Sequence, residues 1–172
     1  MPDAPGLELI RGEIERDHPG AVRATSFDRR QAALVVDPEQ VLAVLAWLRD
    51  TPGQGYRFLS SLHVDDYLPA EPRFGVHYEL LNRDRVERLR VKAMLEDPGE
   101  GALPQIDSCV DLFPTANFQE REAFDFFGIV FKGHPGLTRI LMPEDYVGWP
   151  QRRDFPVGGE PVTFTYNERN YG

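Results

Sequence analysis

RFGVHYELLNRDRVERLRVKAML, residues 73–95, decides the fold. Phe74, Val76, Tyr78 and Leu80 alternate with Arg73, Gly75, His77 and Glu79, and Leu89, Val91, Ala93 and Leu95 repeat that period of two. Such alternation belongs to half-buried strands, and the polar run between the two sets predicts an antiparallel hairpin. A four-residue turn over 82–85 would set Val76 opposite Val91, Tyr78 opposite Leu89 and Glu79 opposite Arg88, with both apolar sets on one face. Upstream, residues 56–64 are nearly apolar throughout, which predicts an interior strand covered on both sides.

The elements around this hairpin follow from the same periodicities. Leu7, Ile10 and Ile14 recur at helical spacing, so a first helix should run to about His18, where Pro19 and Gly20 stop it. Residues 22–27 and 32–36 read as a second hairpin about the charged turn Asp28, Arg29, Arg30. Asp37 is placed to cap a second helix that reaches Asp50, with Pro38 in its first turn, Gln40 completing a capping box, and Val41, Leu42, Leu45 and Leu48 as its buried stripe. A third helix should begin near Asn117, with Glu120 closing a capping box, and end at a left-handed Gly128. The expected fold class is α+β: a two-layer domain with a mixed, largely antiparallel sheet and helices on one face, followed by an extended C-terminal segment. The expected boundary divides residues 1–131 from 132–172, since the last 41 residues hold 6 Gly and 5 Pro and make poor ladder material.

Composition excludes several functions. A net charge of -9 opposes binding to nucleic acid. The longest apolar run, 41–48, is far shorter than the roughly 20 residues that cross a bilayer. Residues 1–5 show neither a basic nor an apolar export signal, so a cytoplasmic address is expected, with any membrane contact indirect through partners. Cys109 is the only cysteine, and an iron–sulfur cluster is held by about four thiolates, so this chain holds none alone. No P-loop, G-x-G-x-x-G or G-x-S-x-G element occurs.

Candidate chemistry concentrates in residues 120–156, EREAFDFFGIVFKGHPGLTRILMPEDYVGWPQRRDFP. Glu120, Glu122 and His134 could in principle ligate a metal in a stand-alone hydrolase, yet one histidine is a poor start for such a site. His63 and His77 alternate with apolar residues on strands and receive no role. No catalytic, cofactor-binding or metal-binding residue is assigned. A binding surface accounts for the pattern better: Phe124 and Phe127, or Phe126, bury against the domain, while Arg121 and the carboxylates project outward to meet a partner's charges.

The spacing of Glu120, Arg121, Glu122 and Asp125, then Gly128 and Ile129, Gly133, His134 and Pro135, Arg139 to Leu141, and Arg152, Arg153, Asp154, Phe155 and Pro156 resembles the signature of the NADH-quinone oxidoreductase 30 kDa (C) subunit family of respiratory complex I. The strand sequences from about Tyr56 are similar to that family as well. The resemblance implies a scaffold subunit at the inner face of the cell membrane, without a redox centre of its own. It implies binding to the quinone-site D subunit and the cluster-bearing B subunit, with NADH, FMN, iron–sulfur clusters and quinone all held by partners. It extends to the equivalent subunit of membrane-bound hydrogenases and ferredoxin-linked dehydrogenases. The expected interface residues are Glu120, Arg121, Glu122, Asp125, His134, Pro135, Arg139, Arg152, Arg153, Asp154 and Pro156. Trp149 and Gln151 depart from the family pattern, which usually has His and Leu there, and Trp149 cannot titrate.

Overall fold

The computed structural model describes residues 2–29, 31–99 and 101–156. Helix α1 (Ala4–Asp17) starts at Asp3, whose carboxylate accepts from the Gly6 amide, and buries Leu7, Ile10 and Ile14. Glu15 then accepts from the amides of Gly20 and Val22, tying the end of α1 to β1 (Val22–Asp28). Strand β1 turns back into β2 (Gln31–Val36) as the expected antiparallel hairpin.

Asp37 caps a single 3-10 turn, Pro38–Gln40, instead of the α-helix itself. Helix α2 (Val41–Asp50) follows from Gln40, whose side chain makes no cap, so the capping box is not formed. Its buried stripe is Val41, Val44, Leu45, Trp47 and Leu48, with Leu42 only partly covered. The Trp47 indole donates to Asp17, which pins α2 to α1.

Three long strands, β3 (Phe58–Asp66), β4 (Phe74–Asn82) and β5 (Glu87–Leu95), complete a five-stranded sheet of order β1-β2-β5-β4-β3. The β2–β5 contact is parallel and the other three are antiparallel. Two expectations need correction. The nearly apolar segment 56–64 is the edge strand, not an interior one, and it alternates in burial; β4 is covered on both faces. Tyr56 does not join the strand, because its amide bonds Leu48 O at the end of α2, and its side chain is fully buried. The outer edge of β3 is sealed by side chains of the third helix, the Leu62 amide donating to Gln119 and the Thr115 hydroxyl to Leu59 O.

The second correction is register. Asn82 pairs with Glu87, so the turn is 83–86 and the ladder runs two residues beyond the expected one: Val76 faces Ala93, Tyr78 faces Val91 and Glu79 faces Arg90. The cause is the Asn82 side chain, which accepts from the Arg85 amide and donates to Gln54 O, capping the turn from inside the ladder. A two-residue slip preserves sidedness, so the apolar face survives. Glu79 pairs with Arg90 as a result.

That face, with Leu34, Val36, Leu62, Val64, Val76, Tyr78, Val91 and Ala93, forms one core with the inner stripes of all three helices. The last elements are β6 (Gln105–Asp107), α3 (Ala116–Phe127) and β7 (Val130–Lys132), with β6 and β7 pairing in parallel. The α+β expectation therefore holds. No helix among the described residues is long and apolar enough to cross a membrane.

Candidate partner-binding surface

Helix α3 carries the candidate site. It begins at Ala116 without a side-chain cap, so Glu120 does not close a capping box. It ends as expected at Gly128, whose φ of 72° lies in the left-handed region and whose amide bonds Phe124 O. Gly128 is required twice over, because a Cβ there would stand 2.6 Å from Trp149 Cε2 and 3.0 Å from an Arg152 nitrogen. The bulk of Trp149 is thus seated on the helix end, edge-on to Phe124 at 5.3 Å. Residues 133–156 run back along the domain, while the rest of the expected 132–172 segment, from 157 on, lies outside the described residues.

The expectation that the carboxylates of this stretch project outward does not hold for Glu120 and Asp125, both fully buried. Glu120 points under α3, where it accepts from Ser108 Oγ at 2.6 Å and the Cys109 amide at 2.8 Å. Burial raises its pKa, and the Ser108 hydroxyl and Cys109 amide offset only part of that. Burial likewise pushes the Cys109 thiol far up, which keeps it protonated and inert.

Asp125 is the anchor of the returning segment. Its Oδ2 accepts from the amides of Ile140, Leu141 and Met142 at 3.0, 2.7 and 2.9 Å, and its Oδ1 takes Arg139 Nη1 at 2.7 Å. Burial alone would raise its pKa, but the Met142 and Leu141 amides and the Arg139 guanidinium outweigh it, and the carboxyl sits below its ordinary value. Arg139 also donates to Tyr146 O and Gly148 O and lies 4.7 Å over the Trp149 ring. Arg121, expected to face a partner, donates to Thr138 O and Arg139 O and so braces the same segment. His134 accepts from the Gly136 amide at Nδ1, which assigns its proton to Nε2 and a donated bond to Asn117 O.

The end of the described chain is held at a second place, which the sequence did not reveal. Arg73, its side chain 4% exposed, binds Asp66, Asp97 and Asp154 together. Asp66 also accepts from the Arg153 amide. Burial would raise the Asp66 pKa, yet the Arg73 fork and the amides of Leu68 and Arg153 bring it to about 2. Arg153 donates to Leu68 O, and Arg152 donates to Phe127 O while lying over the Phe74 ring. A charged residue beginning an apolar strand was the only available signal for Arg73, and its partners stand as far as 81 positions away.

What remains outward is Glu122 and Pro135, the ends of Arg153 and Asp154, Pro156, and a set of large apolar groups: Phe118 at 64% exposure, Leu141 at 60% and Val147 at 88%. Phe118, Arg121, Glu122 and Asp125 share one stripe of α3, and Leu141 is tied to its far end through Asp125. The trio proposed for a hydrolase does not assemble: Glu120 faces inward and Glu122 outward, and the three form no potential metal group among the described residues.

Residues 34–161 match the family described as "Respiratory-chain NADH dehydrogenase, 30 Kd subunit". The C subunit of the NADH-quinone oxidoreductase of Herpetosiphon aurantiacus is 50% identical over 135 residues, 78% of this chain and 77% of that one. Its counterpart of the same name in Roseiflexus castenholzii is 45% identical over 159 residues, 92% and 89% of the two chains. A chain in the solved structure of the membrane-bound sulfane sulfur reductase, an archaeal respiratory membrane complex, superposes with a TM-score of 0.63 over 95% of this chain and 90% of its own, at 21% identity. At that identity the likeness is one of fold.

Proposed function

The chain belongs to the respiratory-chain NADH dehydrogenase 30 kDa subunit family, and from that premise we propose that it is a cofactor-free scaffold in the peripheral arm of a proton-pumping NADH-quinone oxidoreductase. In this reading it grips the quinone-site and cluster-bearing subunits, on the cytoplasmic side, and supports electron transfer by the geometry it imposes. NADH, FMN, iron–sulfur clusters and quinone belong to the partners.

The observation that carries the reading is the exposed apolar set on a braced ledge. Asp125, Arg139, Arg121 and Glu120 spend their hydrogen bonds inside the chain, and what they hold in place is the α3 stripe that exposes Phe118 and Glu122 and the returning segment that exposes Leu141. Exposed apolar groups on a rigid support and edged by charge are what a partner surface can bury. The motif residues thus act on partners chiefly by positioning their neighbours.

Replacing Phe118 and Leu141 together by glutamate tests this. Both side chains are exposed, so the isolated chain should change in stability by no more than about 1 kcal/mol, read from its urea midpoint. Recovery of the chain with partner subunits from detergent-solubilised membranes should fall at least ~10-fold, the equivalent of about 1.4 kcal/mol. Undiminished recovery would place the interface elsewhere.

A further inference from the structure

The sheet face opposite the helices carries a cluster that the scaffold role leaves unused. His63 on β3 and His77 on β4 are direct partners in the ladder, and their rings stack at 4.9 Å with planes within 4°, so the His63 ring has to turn out of the stack for both imidazoles to meet one ion. Asp65 lies two residues beyond His63 and so projects from the same face. One ligand atom from each of the three stands within 4.8 Å of the other two, and among the described residues no other such group of His, Cys, Asp or Glu occurs.

Tyr67 completes the arrangement. Its hydroxyl is 3.2 Å from Asp65 Oδ2 and 3.3 Å from His77 Nε2, and those two atoms are 3.2 Å apart. A hydroxyl donating to a carboxylate ordinarily sits at about 2.7 Å. The 3.2–3.3 Å edges joining Asp65 Oδ2, His77 Nε2 and the Tyr67 hydroxyl are those of one face of a tetrahedron whose corners are about 2.0 Å from its centre, the length of a zinc–nitrogen or zinc–oxygen bond, and leave the remaining corner to His63. Gly75 makes the convergence possible, because a Cβ there would stand 2.8 Å from Tyr67 Cε2 and 3.0 Å from His77 Nε2. His77 is 2% exposed, and its Nδ1 has no hydrogen-bond partner among the described residues. A buried imidazole held on one side only is under-used for a purely structural group.

We propose that His63, Asp65 and His77 bind a divalent first-row transition-metal ion, with the Tyr67 hydroxyl on its fourth side. Two imidazoles and one carboxylate suit zinc, cobalt or nickel, whereas magnesium and calcium call for more oxygen ligands. Asp65, with its side chain 54% exposed, opens the site to solvent and gives the ion a way in. Two cations share this face: Lys92 donates to the Tyr67 hydroxyl at 3.0 Å, and Arg90 is paired with Glu79. Asp65 is therefore the one carboxylate that meets the ion's charge directly, and its loss should weaken binding most.

The untagged full-length chain, stripped with chelator and titrated with Co(II), should bind one equivalent with visible d–d absorption that Zn(II) then abolishes. Its melting temperature should rise with Zn(II) concentration, because an ion that binds only the folded chain stabilises it by mass action. His63→Asn and Asp65→Asn, both at positions outside the core, should each weaken Co(II) binding at least ~10-fold, the equivalent of about 1.4 kcal/mol, with unchanged circular dichroism. A wild-type chain that binds no Co(II), or binding that survives both substitutions, would overturn the site.

Discussion

Arg73→Met lowers the stability of the isolated chain by about 3–5 kcal/mol, the cost of leaving a buried charge without its partner. Asp66 is the charge left behind: its side chain is 2% exposed, and Arg73 meets it with two nitrogens, Nε at 3.0 Å and Nη2 at 2.8 Å. Removing Asp154 instead should cost only about 0–1 kcal/mol, because that carboxylate is half-exposed and Arg73 keeps its other acceptors. Arg73→Lys should recover only part of the loss, since one ammonium cannot reproduce a planar fork that serves three carboxylates. Urea unfolding reads all three variants. A midpoint for Arg73→Met that matches wild type would mean that the cluster contributes nothing net.

Asp125→Ala should cost a similar amount, about 3–5 kcal/mol, and for a more local reason. The substitution leaves the amides of Ile140, Leu141 and Met142 without their shared acceptor and Arg139 without its counter-charge. The first visible consequence should be release of the 138–142 turn, read as new protease cleavage there while the sheet remains intact. The pH dependence carries the same sign. The folded-state carboxyl lies below its ordinary value, so its stabilisation is complete above about pH 4 and is lost as pH falls through the folded value. Asp125→Asn should therefore remove part of the acid-induced loss of stability seen in the wild type. An acid limb that is the same in both proteins would contradict the assignment.

The sequence made the α+β architecture legible because period-two and helical patterns are local. Leu7, Ile10 and Ile14 sit where their spacing puts them, and Gly128 ends α3 in the conformation its lack of a Cβ allows. Strand placement was less legible. Residues 56–64 carry enough apolar groups for an interior strand, yet Tyr56 serves α2, and the edge of β3 is closed by Thr115 and Gln119 from a helix some 57 positions on. The β4–β5 register escaped because a single side chain, Asn82, both caps the turn and stays in the ladder.

The candidate site was legible as a region and not as a set of directions. Its charged residues were expected to meet a partner, but Asp125 and Arg139 meet each other, and Glu120 closes onto Ser108 and Cys109. Charge spacing along a chain does not say which carboxylate a later arginine will return to. The same blindness hid the Arg73 cluster and the pairing of His63 with His77, both of which exist only once the sheet is assembled.

The central claim, that this chain works as a member of a respiratory assembly, is tested most directly by what it carries out of the membrane. Full-length chain bearing an affinity tag and recovered from detergent-solubilised membranes should elute with its partner subunits in constant ratio, in a fraction that oxidises NADH with quinone. Recovery of the chain alone, as a monomer in a fraction without partners, would contradict the account.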